Sequence, residues 1–220
     1  PPHRRERGAV RAATPRGGVG PASPTAAAVA SPGLVGRDLV REVAVDTPYE
    51  WASEDPTGCL PIDTGVLPLN PRYRVVAFDS GIKFNILRRL SDAGCAVTVV
   101  PPTTPSDEVR AMRPDGVFLA NGPGDPAAVD YLYGTRGELL GEVPVFGICL
   151  GHQMLSLALG GTTYKLKYGH RGGNQPVMNL LPGRRELTSQ NHGFWGDFGS
   201  IGPLHAAGTG GLARRPAAPT

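Results

Sequence analysis

Short apolar runs recur through the middle of the chain and predict buried strands. Each run contains few polar residues and is flanked by turn residues. The runs occupy residues 74–79, 96–100, 116–120 and 143–146. Runs of this kind are typical of strands that are covered on both faces of a parallel sheet. Further apolar runs at residues 162–166 and 175–179 predict two more strands, joined by a loop over residues 167–174.

Three segments between or after these runs carry apolar residues at helical spacing. They are residues 83–93, 104–112 and 150–159. Thr104 is the predicted N-cap of the second helix, with Pro105 at its first helical position, and Gly160 closes the third. Because strands and helices alternate with short connections, the sequence predicts a three-layer α/β fold with a mostly parallel sheet.

The segment before the first strand differs in pattern. Residues 31–43 predict a turn followed by a short helix, since Leu39, Val40 and Val43 stand at helical spacing. Residues 49–51 and the following Pro-rich stretch have too few apolar residues for a domain of their own, so we expect a linker that packs against something larger.

Composition divides the chain into four predicted segments. Glycine and proline are frequent, with 31 and 23 copies, and both ends lack large apolar residues. We predict a disordered tail over residues 1–30, a domain remnant and linker over 31–72, one α/β domain over 73–198, and a second disordered tail over 199–220.

Charge and cysteine usage exclude several classes of protein. The net charge of +3 arises from the arginine-rich start, and basic and aromatic residues do not interleave on a predicted folded face, which argues against nucleic-acid binding. No apolar stretch approaches the ~20 residues that span a bilayer. Three single cysteines without a Cys-x-x-Cys pair favour a reduced, cytoplasmic compartment.

The candidate chemistry centres on Cys149. It lies in a Gly-x-Cys-x-Gly turn between a predicted strand and a predicted helix, which is the pattern of a nucleophile elbow. We expect the helix N-terminus to favour the thiolate over the thiol. The alternative is a buried cysteine with a structural role in the turn.

A nucleophilic thiolate performs acyl transfer, which requires oxyanion donors, a base and substrate contacts. The loop over residues 121–126 follows the third strand, so it and the elbow should face one crevice at the carboxyl edge of the sheet. The backbone N–H of Leu150 and one from residues 122–124 would then be the oxyanion donors. Gln153, Asn191 and the backbone near Gly193 are candidate amide-binding groups, and His152 is a candidate base.

Four motifs in order give the chain a specific resemblance. They occupy residues 121–126, 147–153, 167–177 and 189–194. Together they closely resemble the small-subunit family of glutamine-hydrolysing carbamoyl-phosphate synthases, within the class I, triad-type glutamine amidotransferases. The elbow by itself would also fit the amidotransferase subunit of another synthase, such as anthranilate synthase.

The resemblance implies a flavodoxin-like fold and a glutaminase that feeds ammonia to a large subunit, for carbamoyl phosphate in arginine or pyrimidine synthesis. It implies Cys149 as the nucleophile. It implies a glutamine-binding set composed of Gly122, Gly124, Leu150, Gln153, Asn191, Gly193 and Phe194. It further implies no metal and no cofactor in this chain, with ATP and Mg²⁺ used by the large subunit.

The family's catalytic base and acid lie in a later His-Pro-Glu segment, so the resemblance does not assign the base to His152. After Phe194 this sequence departs from the pattern: His205 is the remaining histidine, and no glutamate follows Glu186. We therefore expect a chain that is truncated or frame-shifted at both ends, with impaired activity. The rival hypotheses are a non-catalytic, glutaminase-like binding or regulatory domain and a stand-alone cysteine hydrolase.

Overall fold

The computed structural model describes residues 26, 30–51, 72–179 and 183–201. Cys59, His205 and almost all of both predicted tails lie outside the described residues. The predicted segment boundaries therefore stay predictions.

The core of the molecule is a five-stranded sheet. Its strands are β1 (Tyr49–Glu50), β2 (Tyr73–Phe78), β3 (Cys95–Val100), β4 (Gly116–Leu119) and β5 (Val145–Gly147). The spatial order is β1-β3-β2-β4-β5, and every neighbouring pair is parallel except β1 with β3. The four parallel strands follow the order of a flavodoxin-like sheet, which confirms the predicted fold class.

Within residues 72–179, four α-helices accompany the sheet: α1 (Phe84–Asp92), α2 (Ser106–Ala111), α3 (Asp130–Glu138) and α4 (Leu150–Ala158). The helix α3 was not predicted, because its sequence contains Gly134 and Gly137 and has no clear apolar stripe. The predicted N-cap of α2 was wrong. Pro105 occupies the cap position, and the Thr104 hydroxyl instead donates to the Pro101 carbonyl at 2.9 Å.

Two apolar clusters cover the two faces of the sheet. One contains Leu87 of α1 and Phe118 of β4, together with Trp51, which is 2% exposed. The other contains Val109 of α2 and Leu119 of β4. Trp51 also donates its backbone N–H to Val97 at 2.8 Å, which confirms that the segment ending there packs against the larger domain.

A long antiparallel hairpin follows α4, formed by β6 (Thr162–Asn179) and β7 (Arg184–Asp197). The prediction of two strands joined by a loop was wrong, since β6 continues through that loop with two register shifts. Gly169 allows this: its φ is +76°, and a Cβ there would overlap the His192 carbonyl oxygen. A glycine therefore bends the strand without ending it.

The turn and the short helix predicted within residues 31–43 are both present, although the helix is brief. Only a single 3₁₀ turn, Val40–Glu42, forms there. Val40 is fully buried while Val43 is 50% exposed, so the apolar residues do not share one face. The remaining 3₁₀ turns of the described chain are Pro126–Ala128 and Phe198–Ser200.

Candidate active site

Cys149 occupies a sharp turn between β5 and α4. Its φ of +54° and ψ of −109° are rare for a residue other than glycine. The turn is held against the end of β4, because Ile148 donates to Leu119 at 3.1 Å and Gly151 donates to Ala120 at 3.0 Å. Such a conformation persists only where the surroundings fix it, and it is common at active sites. The predicted nucleophile elbow is therefore present in the structure.

The two glycines of the elbow are required by close packing. A Cβ on Gly147 would lie 2.6 Å from the Gly151 carbonyl oxygen, and a Cβ on Gly151 would overlap the carbonyl oxygen of Leu119. The Gly-x-Cys-x-Gly spacing thus allows the first turn of α4 to lie directly against β4 and β5.

The loop over residues 121–126, named the glycine loop from here on, meets the elbow as predicted. A Cβ on Gly122 would overlap the Ser80 carbonyl oxygen and lie 2.7 Å from Leu150 Cδ2. Asn121 holds the start of the loop, donating to Gly81 at 2.9 Å and accepting from Lys83 N at 3.1 Å. The loops after β2, β4 and β5 therefore meet at the carboxyl edge of the sheet.

The hairpin closes the crevice from the other side. The Cys149 Sγ lies 3.8 Å from the Asn191 carbonyl oxygen. The Asn191 side-chain oxygen accepts from Arg171 Nη1 at 2.6 Å. Gln153 of α4 donates from Nε2 to the Phe194 carbonyl oxygen at 2.7 Å, a buried bond that ties the hairpin to the elbow helix.

The structure thus brings the predicted site residues into one region. Asn191 contacts the thiol, Gly193 and Phe194 lie beside Lys165, and Leu150 packs beneath the glycine loop. Gln153 is 6% exposed. The amide nitrogen of Gln153 makes the hydrogen bond to the hairpin. The glutamine-binding roles of the predicted site residues stay predictions.

Burial raises the pKa of the Cys149 thiol above its ordinary value. The backbone N–H of Leu150 and the charges of Lys83 and Arg171 act in the opposite direction, with smaller effect. The Leu150 N–H at the helix end thus favours the thiolate, in the predicted direction. Desolvation of the half-buried sulfur outweighs the stabilisation by the helix N-terminus.

A pair of imidazoles beside the crevice, His170 and His192, was not predicted from the sequence. His192 lies 3.1 Å from His170 between ring nitrogens, and its Nδ1 lies 2.8 Å from the Phe194 carbonyl oxygen. Burial lowers the pKa of both His192 and His152, and the charge of His192 lowers the pKa of His152 further. Burial therefore favours the neutral form of the His152 and His192 rings. Only the hairpin register, which pairs positions 170 and 192, could have indicated this pair.

The raised pKa gives a testable pH dependence for thiol alkylation. We expect the rate of Cys149 alkylation by iodoacetamide to rise with pH and to reach half its maximum at a higher pH than an unburied cysteine in a peptide does, because only the thiolate reacts and burial raises the pKa of Cys149. Cys95, which is 8% exposed and whose pKa burial also raises, should react more slowly at every pH. Peptide mass spectrometry separates the two sites. A midpoint near pH 7, or equal labelling of both thiols in the folded chain, would contradict this prediction.

The described ranges lack two kinds of feature. They contain no group of three or more His, Cys, Asp or Glu side chains arranged to hold a metal ion. In the same part of the chain, no helix combines the length and the apolar character needed to cross a bilayer.

Comparison with known sequences identifies relatives of this chain. The family profile "Glutamine amidotransferase class-I" matches residues 75–202. The chain is 57% identical over 173 residues to the carbamoyl phosphate synthase small chain of Syntrophotalea carbinolica, covering 78% of this chain and 45% of that protein. The small chain of Rhodopirellula baltica is 50% identical over 195 residues, which cover 86% of this chain and 50% of the relative. The chloroplastic small chain of Arabidopsis thaliana is 50% identical over 172 residues, with coverage of 76% and 39%. The chain thus spans about half the length of these curated relatives.

Proposed function

We propose that this chain, which belongs to the class-I glutamine amidotransferase family, is the glutaminase subunit of a carbamoyl-phosphate synthase. One observation carries the proposal: Cys149 stands on a strained elbow, and the glycine loop and Asn191 both lie against that elbow. The high identity to proteins named as carbamoyl phosphate synthase small chains supports this choice among amidotransferases.

The proposed reaction begins when the Cys149 thiolate attacks the side-chain amide carbon of glutamine. The carbonyl oxygen becomes an oxyanion, which the backbone N–H of Leu150 and one from the glycine loop would stabilise. Collapse of this intermediate breaks the C–N bond, and the nitrogen takes up the proton that the thiol released on ionisation and leaves as ammonia. Water then attacks the thioester, which releases glutamate and restores the thiol.

The glutamine-binding contacts are proposed from the same crevice. Asn191 lies beside the sulfur, and the backbone near Gly193 and Phe194 continues along the crevice wall. Polar amide and backbone groups of this kind suit the amide and the amino-acid end of glutamine.

The partner and the compartment are part of the proposal. The relatives are named small chains, which supports assembly with a larger subunit. We propose that this large subunit receives the ammonia and uses ATP and Mg²⁺, that the present chain needs no cofactor, and that both work in the cytoplasm.

The proposal is tested by measuring glutamate release from glutamine by the purified chain, alone and with a carbamoyl-phosphate synthase large subunit from Syntrophotalea carbinolica. We expect glutamate release in both cases, at a rate reduced by the lack of the family's His-Pro-Glu segment after Phe194. With the large subunit, ATP and bicarbonate present, nitrogen-15 from the glutamine amide should appear in carbamoyl phosphate. Absence of glutamate release in both cases would overturn the glutaminase assignment. Release without transfer of the label would restrict the function to glutamine hydrolysis.

A further inference from the structure

Residues 34–45 form a strap across the active-site loops. The strap lies outside residues 75–202, the part of the chain that matches the family profile. It nevertheless contacts the glycine loop, the elbow helix α4 and the end of β2, as the following distances show. All three of these elements contribute to the crevice around Cys149.

Asp125 joins the strap to the glycine loop. Its side chain is 7% exposed, and its two carboxylate oxygens accept from different partners, Gly36 N of the strap at 2.9 Å and Ala127 N of the loop at 3.0 Å. Its backbone N–H donates to the Arg37 carbonyl oxygen at 3.2 Å. One residue therefore bonds to the strap through both its main chain and its side chain.

The strap also limits where the glycine loop can lie. A Cβ on Gly124, which has a φ of +92°, would be 2.7 Å from the Arg37 carbonyl oxygen. The loop backbone thus passes directly beneath the strap backbone. Displacement of the strap would remove both the hydrogen bonds and the steric boundary on this side of the loop.

Three further contacts anchor the strap itself. Val40 is fully buried in a cluster with Leu150, the residue that follows the nucleophile. The Asp38 carboxylate accepts from the Tyr131 hydroxyl at 2.9 Å. At the far end, Val45 N donates to the buried Asp79 carboxylate at 2.9 Å. The strap is therefore fixed independently of Asp125 and can serve as a rigid support.

We propose that the strap positions the glycine loop for oxyanion stabilisation, and that Asp125 is the positioning residue that couples the two. This inference rests on the proposed glutaminase function. An oxyanion donor works only within a few tenths of an ångström of its ideal place, so a loop that is free to shift loses stabilisation of the transition state rather than substrate binding. Asp125 acts through the loop and does not touch the substrate.

The test compares Asp125→Ala and Asp125→Asn with Asp115→Ala and Asp115→Asn. Asp115 is the matched control, because it also accepts a backbone N–H, from Arg74 at 2.7 Å, but precedes β4 at the opposite edge of the sheet from Cys149. For each variant, kcat and KM for glutamine are measured. The kcat is then divided by the fraction of molecules whose Cys149 can be alkylated. Hydrogen exchange is followed at the amide of residue 125.

We expect Asp125→Ala to lower kcat by about 10- to 100-fold with KM changed less than about 3-fold. Asp125→Asn keeps one acceptor oxygen and turns an NH₂ donor towards the other backbone N–H, so its kcat should lie between those of the original chain and Asp125→Ala. The amide of residue 125 should exchange faster in Asp125→Ala, while Cys149 alkylation and the Asp115 variants stay within about 2-fold of the original chain. This pattern separates positioning from a general loss of folded protein.

Two results would overturn the inference. One is unchanged exchange at residue 125 in Asp125→Ala, which would show that the carboxylate does not hold the strap to the loop. The other is faster exchange with an unaltered kcat, which would show that loop position does not matter for the reaction. If the unaltered chain releases no glutamate, the proposed function fails instead, and the exchange comparison still decides whether Asp125 couples strap and loop.

Discussion

Replacing Cys149 with serine is expected to lower glutamine hydrolysis by about 10³-fold or more. The serine hydroxyl is similar in size, so the elbow should keep its φ of +54° and its contacts to β4. A hydroxyl ionises far less readily than a thiol, however, and the desolvation that already raises the pKa of Cys149 would disfavour an alkoxide even more. The measurement is glutamate release at saturating glutamine, with thermal unfolding to confirm the fold.

Cys95→Ala is the matched control for this prediction. Cys95 is 8% exposed in the core beneath α1, so its truncation should lower the free energy of unfolding by about 1 kcal/mol while kcat stays unchanged. Activity retained by Cys149→Ser would place the nucleophile elsewhere. Activity lost by Cys95→Ala in folded protein would show that the assay reports stability instead of chemistry.

Gly151→Ala is expected to have the largest effect on stability and to abolish activity as well. The added methyl group would overlap the Leu119 carbonyl oxygen and lie 2.8 Å from the Leu119 Cβ, and neither the strand nor the helix can move without breaking the Gly151–Ala120 hydrogen bond. We expect the free energy of unfolding to fall by about 3 kcal/mol. The displaced helix start would carry the Leu150 N–H away from the oxyanion, so kcat should fall by at least about 10²-fold. Urea unfolding and glutamate release measure the two effects.

Gly134→Ala provides the contrasting glycine. Gly134 lies within α3, is exposed, and a Cβ there would meet nothing within 4 Å. Alanine should therefore raise the free energy of unfolding by about 0.5–1 kcal/mol through its better helix propensity, without effect on activity. If Gly151→Ala were as mild as Gly134→Ala, the close packing of α4 on β4 would be disproved.

Much of the site could be predicted because its signals are local in sequence. The elbow needs a strand, a Gly-x-Cys-x-Gly turn and a helix, all within a few consecutive residues. The glycine loop was placed opposite it by a general rule, that the carboxyl ends of neighbouring parallel strands share one edge. The contact between Gly122 and Leu150 follows from these two facts.

The features that escaped prediction have a different origin. The thiolate prediction counted the helix N-terminus, which is visible in the sequence, and omitted the burial of Cys149 by the hairpin, which is not. The short helix expected within residues 31–43 does form, as a 3₁₀ turn, but the helical spacing of Leu39, Val40 and Val43 did not indicate which of them is buried. In the folded chain Val40 packs against Leu150 and Val43 faces outwards. The reason is that the backbone of this segment runs along the glycine loop and does not continue as a regular α-helix.

The sequence by itself determined the parallel sheet, most of its strands and helices, and the Gly-x-Cys-x-Gly elbow around Cys149, since short-range apolar patterns and glycine spacing encode each of them. Only the tertiary structure decided the burial of Cys149, the pairing of His170 with His192 and the coupling of the strap to the glycine loop. The physical reason is distance along the chain: Gly36 and Asp125 are 89 residues apart, and Cys149 and Asn191 are 42 apart. Contacts of this kind depend on how whole elements pack, and no local pattern records them.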